Sequence, residues 1–200
     1  MRTFFWKSLL IVAAIWFISA TGLTAQTPGE AKAPSAAPSR IDFAFAYSAA
    51  RSNAVGGGSF WMQGGSAQMH LLFYRALGLV IDFSGWHAGN IQSSGVGLDL
   101  VTSTSGLRYT WRPAYMRYSL YGQALAGVAS GYNSDFPSSS GFVASSQSLA
   151  LKLGGGLNVG MTRRIALRAL EADWLRTQFP NSTTGTQSSC QLNSGLVFRF

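Results

Sequence analysis

Chemistry has few places to reside in this chain. Fifteen residues are Lys or Arg, seven are Asp or Glu, two are His and one is Cys. The histidines, His70 and His87, stand apart from each other and from Cys190, and no His, Cys or Asp group has the spacing of metal ligands. Gly154-Gly155-Gly156 lacks the Lys-Ser/Thr that completes a phosphate loop. No catalytic, cofactor-binding or metal site is therefore expected. What remains is electrostatic. Acids at Asp42, Asp82, Glu171 and Asp173, and bases at Arg108, Arg117, Lys152 and Arg199, each fall on the less apolar side of a run that alternates with period two. Opposite charges on one face can pair, provided that strands bring them together.

The elements that must do so begin with the last. Residues 190–200 read C-Q-L-N-S-G-L-V-F-R-F. Phe200, Phe198, Leu196, Leu192 and Cys190 share one face, and Arg199, Val197, Asn193 and Gln191 share the other. Seven similar runs precede it. Residues 40–48 alternate Ile41, Phe43, Phe45 and Tyr47 against Asp42 and Ser48. Residues 66–74 set Met69, Leu71 and Phe73 against Gln68 and His70. From residue 77, Leu79, Ile81 and Phe83 oppose Asp82, Ser84 and Trp86. Residues 100–111 set Leu107, Tyr109 and Trp111 against Arg108 and Thr110. Residues 116–128 set Tyr118 and Leu120 against Arg117, Ser119, Tyr121 and Gln123. Residues 148–160 set Leu149, Leu151 and Leu153 against Lys152 and Asn158. In residues 165–178, Leu170, Ala172 and Trp174 oppose Glu171, Asp173 and Leu175, which leaves Arg168 and Arg176 at the two ends of the apolar face, where basic side chains can snorkel. This segment also holds good helix formers, but its length and flanking turn suit a strand equally.

Between the runs, connections alternate. Residues 49–65, 87–97, 129–147 and 179–189 read as long loops rich in Gly, Ser and Asn, with some strand character near Phe60-Trp61-Met62. Arg75-Ala76, Arg112-Pro113-Ala114 and Thr162-Arg163-Arg164 read as tight turns. Long and short connections thus fall at opposite ends, as in a membrane barrel. An eight-strand barrel has room inside only for side chains. Charges there must pair, because unpaired charges away from water are costly. Four acids and four bases inside balance, which predicts a packed polar lumen rather than an open pore. Outward Tyr47, Tyr109, Trp111, Tyr118, Trp174, Phe198 and Phe200 are expected in interfacial aromatic girdles.

The front of the chain reads separately. Arg2 and Lys7 precede an apolar run over residues 9–20 and a small residue at Ala25, so residues 1–25 are expected to be a signal peptide. Residues 26–39, rich in Pro, Ala and Ser, read as a disordered periplasmic tether, and residues 40–200 as one barrel domain. After residue 25 no apolar run reaches the ~20 residues of a spanning helix. The formal charge of +8 raises nucleic acid as a partner, but the arginines are scattered and follow an export signal, so none is expected.

The segments L-G-G-G-L-N-V (153–159), T-R-R-I-A-L-R-A-L-E-A-D-W-L-R-T (162–177), G-L-V-F-R-F (195–200) and Y-R-A-L-G-L-V-I-D-F-S-G (74–85) resemble the small bacterial outer-membrane β-barrel family, of the OmpA/OmpX/opacity-like porin fold. The resemblance implies an all-β fold: an eight-stranded antiparallel up-and-down transmembrane barrel in the bacterial outer membrane. It implies outer-membrane lipid as surroundings. It also implies a C-terminal strand read by the barrel-assembly machinery, with Phe198 and Phe200 as the insertion signal. Architecture is specified well by these motifs and activity hardly at all. A structural or surface-interaction role is expected rather than a diffusion pore or an enzyme. Three alternatives remain: an adhesin binding an unknown extracellular ligand through the long loops, a lipid A-modifying enzyme built on His87 at the rim, and a secreted lipocalin-like carrier, which would need the opposite polarity.

Overall fold

The computed structural model describes residues 41–53, 58–89, 91, 97–138, 141–179 and 185–200. The expected signal peptide and tether lie outside them. Eight strands run in chain order: β1 (Ile41–Asn53), β2 (Ser59–Tyr74), β3 (Leu77–Ala88), β4 (Leu98–Trp111), β5 (Tyr118–Ser138), β6 (Gly141–Gly160), β7 (Ile165–Thr177) and β8 (Gln187–Arg199). Each pairs antiparallel with its sequence neighbours, and β8 returns to β1, closing the barrel. Closure leaves no strand edge exposed, which is what a sheet in hydrocarbon requires. The last residue completes the seam: the Phe200 amide donates to Ile41 O at 2.9 Å, and the Ile41 amide to Phe200 O at 3.4 Å.

Alternation decides which side each residue meets. In β1, Asp42, Ala44, Ser48, Ala50 and Ser52 are buried toward the axis, whereas Phe43, Phe45 and Tyr47 are exposed on the outer wall. Outward Phe83, Leu107, Leu151 and Leu153 are likewise exposed, while Asp82, Lys152 and Glu171 are 0% exposed. The polarity of a water-soluble domain is inverted, and this excludes the lipocalin-like arrangement. Of the aromatics expected in girdles, Tyr109, Trp111 and Phe200 stand at the short-turn end and Trp174 toward the other. Tyr47 does not; it sits midway along β1, opposite Gly65 and Ser194.

Two expectations about the connections are corrected. Residues 49–65 are not one loop. β1 and β2 continue as a ladder from Ala49↔Gln63 to Asn53↔Ser59, because alternation persists through the Gly- and Ser-rich stretch, with Ala50, Phe60 and Met62 buried inside. Nor are residues 129–147, since β5 and β6 pair as far as Ser138↔Gly141. The long-loop end is therefore largely extended sheet. At the other end, Arg75 adopts φ 47° in the β2–β3 turn and Tyr115 φ 68° in the β4–β5 turn. In the β6–β7 turn, Thr162 Oγ1 accepts from the amides of Arg164 (3.2 Å) and Ile165 (2.9 Å).

One irregularity governs the interior. Between Arg168 and Glu171, β7 carries one residue more than β8 opposite it, and its pairing with β6 shifts at the same level. Such a bulge reverses the facing of everything on one side of it. Below it Ala166 and Arg168 face in; above it Glu171, Asp173 and Leu175 do.

Candidate functional site: the sealed lumen

The middle of the lumen is a single polar network, and Glu171 on β7 is its hub. Its carboxylate accepts from Arg168 Nη1 at 2.9 Å, Gln68 Nε2 at 3.0 Å, Asn193 Nδ2 at 2.8 Å and the Tyr121 hydroxyl. Arg108 Nη2 lies 3.6 Å away. Gln68 binds this hub to its neighbours. Its carbonyl oxygen accepts from Arg108 (2.6 Å) and Arg168 (2.8 Å), and its amide also donates to Asp82 at 2.8 Å. Asp82 in turn takes Lys152 Nζ at 2.6 Å and the Ser84 hydroxyl at 2.8 Å. Asp173 accepts from Gln123 (2.9 Å) and Asn193 (3.2 Å). The Tyr121 ring lies under two guanidinium groups, Arg108 at 4.1 Å and Arg168 at 5.4 Å from its centroid. Each charge thus has an opposite charge or several dipoles against it, the condition under which buried ions are tolerated.

The glycines of β6 make room for this network. A Cβ at Gly154 would stand 2.1 Å from Asp173 Oδ1, and one at Gly156 would stand 2.6 Å from the Tyr121 hydroxyl oxygen. Gly154 and Gly156 are the floor on which those two side chains lie.

Of the eight charged residues expected inside, five meet in the network: Asp82, Arg108, Lys152, Glu171 and Asp173. Asp42 and Arg199, paired across β1 and β8, stand apart from it at the short-turn mouth. There Asp42 also faces His70 Nδ1 at 3.5 Å and Arg112 Nη2 at 3.8 Å. Arg117 is a correction. It lies exposed in the turn before β5, which starts one residue later. Its place inside belongs to Arg168, 1% exposed, which the sequence reading assigned to the lipid-facing surface. The bulge is the cause. The signal was available: the apolar phase of β7 runs Ile165, Leu167 and then Leu170, Ala172, Trp174, changing parity across Ala169. Phe198 and Phe200 sit on the outer wall and pack edge-on against Phe45 and Phe43, with ring centroids 6.3 and 6.0 Å apart.

A second seal was not foreseen. Between the network and the long-loop end lies an apolar cluster that includes Phe60, Met62, Trp86, Leu98, Leu100, Leu175 and Phe179. Trp86 joins the two layers. Its Nε1 donates to Ser48 Oγ at 2.7 Å, and Lys152 Nζ stands 5.7 Å from its ring centroid. At the opposite mouth, a cavity lined by residues that include Asp42, His70, Arg108, Asn158 and Arg199 has a volume of about 10 Å³, room for one water. At the outer rim the exposed His87 Nδ1 is 2.5 Å from Asp99 Oδ1, and Asn133 Nδ2 donates to the other oxygen of the same carboxylate.

No family model matches the chain, and no curated protein matches it. Among solved structures, Neisserial surface protein A is similar over 81% of this chain and 98% of its own, with TM-score 0.63 and 15% identity. The attachment invasion locus protein Ail of Yersinia pestis, in complex with the heparin analogue sucrose octasulfate, is similar over 82% of this chain and all of its own, with TM-score 0.55 and 18% identity. At these identities the likeness is one of fold. The chain has the fold of the small bacterial outer-membrane barrels, as the sequence resemblance implied.

Proposed function

We propose that this protein is an integral outer-membrane barrel that conducts no solutes and acts as a rigid support for its long-loop end, where it meets the cell's surroundings. The observation that carries this reading is the doubly filled lumen: a salt-paired polar layer beneath an apolar layer, inside a wall whose outer face is hydrocarbon-like. An ion crossing such a barrel would have to displace Lys152 from Asp82 and then enter the cluster around Met62 and Leu100. The extended β1–β2 and β5–β6 ladders favour the surface role, because they hold the long-loop end on paired strands rather than free loops. That one barrel of the same fold is an attachment invasion protein is compatible with this role. Lipid is the surrounding partner, and the strand ending in Phe198 and Phe200 is the segment offered to the assembly machinery. The His87–Asp99 pair favours no hydrolytic role: a nucleophile would have to stand on the free Nε2, and among the described residues no hydroxyl bonds there. We assign the pair to fixing the β3–β4 rim. Planar-bilayer recording tests the proposal. The expected trace is closed at all voltages, and a steady single-channel current of porin size would overturn it.

A further inference from the structure

We infer that the short-turn rim is a binding collar for the headgroup phosphates of anionic phospholipids. The three short turns carry Arg75, Arg112, Arg117, Arg163 and Arg164. Arg75, Arg117, Arg163 and Arg164 are exposed, and among the described residues no acidic side chain lies within ion-pair distance of any of them. Among the described residues the one acidic side chain at this end, Asp42, is buried, faces the lumen and takes Arg112. The opposite rim is different: exposed Arg51 and Arg176 stand there with a partly exposed acid, Asp99.

Depth makes the collar a lipid site rather than a solvated surface. Exposed Phe73, Tyr74, Trp111 and Tyr115 stand in or beside the same turns, and such aromatics sit at the headgroup level of a bilayer. The Arg75 guanidinium lies 5.4 Å from the Tyr74 ring centroid, which holds it at that level. Guanidinium is suited to phosphate because its planar fork of donors matches two oxygens at once. Four such groups with no acidic side chain beside them among the described residues repel one another, and a ring of lipid phosphates relieves that repulsion. Basic residues near an anionic surface each strengthen attachment by a few-fold, an effect that salt weakens.

This inference rests on the membrane reading above, so its test must separate the two. The refolded protein is reconstituted into phosphatidylcholine vesicles containing spin-labelled phosphatidylcholine or spin-labelled phosphatidylglycerol. The fraction of each label immobilised at the barrel gives their relative affinity. Heat-modifiable gel mobility reports in parallel whether the barrel has inserted. The expected result is a preference for phosphatidylglycerol that is on the order of severalfold. It should fall with added salt and be lost in Arg75→Gln/Arg117→Gln/Arg163→Gln/Arg164→Gln, while Arg51→Gln/Arg176→Gln keeps it. An inserted wild-type barrel with no preference, or an inserted quadruple variant that retains it, overturns the collar and leaves the membrane barrel standing. Failure of the wild type to insert overturns both.

Discussion

Glu171→Gln is the sharpest test of the lumen. The substitution keeps size and shape and removes one charge. Every polar group now directed at Glu171 is a donor: the guanidinium groups of Arg168 and Arg108, the amides of Gln68 and Asn193, and the Tyr121 hydroxyl. A carboxylate can accept from all of them, whereas a glutamine has one acceptor oxygen and turns an NH₂ group toward the remainder. Among the described residues Arg168 keeps no other carboxylate within 4 Å, and Arg108 keeps none either. Breaking a buried pair by removing one partner costs about 3–5 kcal/mol, and the clash of donors places the expected loss in the upper half of that range. With a urea slope of about 1–3 kcal/mol per molar, the unfolding midpoint of the vesicle-embedded barrel should fall by at least ~1 M. Tryptophan fluorescence and gel mobility would follow it together, with the slope unchanged. The companion Glu171→Gln/Arg168→Met removes both charges and should recover part of the loss, with a coupling of about 1–3 kcal/mol. A loss under about 1 kcal/mol in the single variant, the worth of an exposed ion pair, would refute the claim that Glu171 is the buried hub of this network.

Three further outcomes follow from the same geometry. Gly154→Ala sets a methyl 2.1 Å from Asp173 Oδ1 and 2.4 Å from Ala172 O; overpacking of this kind should destabilise by about 1–3 kcal/mol. Gly85→Ala, whose new methyl meets nothing nearer than Leu100 O at 4.0 Å, should stay within about 0.5 kcal/mol of wild type in the same urea titration. For the bulge, single cysteines at 117, 168 and 176 in a Cys190→Ser background give three different answers: Arg117→Cys should react with a membrane-impermeant maleimide, Arg176→Cys with a lipid-partitioning one, and Arg168→Cys with neither until the barrel unfolds. Reaction of Arg168→Cys with the lipid-partitioning reagent in the folded state would restore the unbulged register and discredit the network as described.

The architecture was legible because a barrel wall writes itself into sequence twice. Parity shows in residues such as Leu149, Leu151 and Leu153 against Lys152, and connection length shows in the contrast of Arg75-Ala76 with the connection between Ala88 and Leu98. Both signals are local, so neither needs knowledge of which strand lies beside which. The apolar seal was not legible for the complementary reason. Met62, Trp86, Leu100 and Leu175 come from four strands, and each strand adds only one or two large apolar residues at one end of a face that is elsewhere largely polar. Only the stagger of the closed barrel brings them to one level. The extent of the ladders was missed because Gly and Ser were taken to mark loops. In a closed barrel the neighbouring strands complete the backbone hydrogen bonds, and strands low in β propensity still form.

The exchange of Arg117 for Arg168 shows how the remaining error could have been found. With Arg117 outside and no bulge, the lumen would hold Asp42, Asp82, Glu171 and Asp173 against only Arg108, Lys152 and Arg199. Arg112 at the mouth serves Asp42, so Glu171 would lack its closest cation, and a side-chain-filled interior has little water to compensate it. The added residue in β7 turns Arg168 inward, restores the missing charge and sets it three residues from Glu171, its closest acidic partner. Neutrality of a narrow lumen is thus a constraint that acts across the whole barrel, and it determines strand register where local alternation does not. The apparent balance in the sequence was right in sum and wrong in membership. A count that insists on both parity and neutrality along each strand would locate the bulge at Ala169, since that is where the apolar phase changes and where a cation is needed.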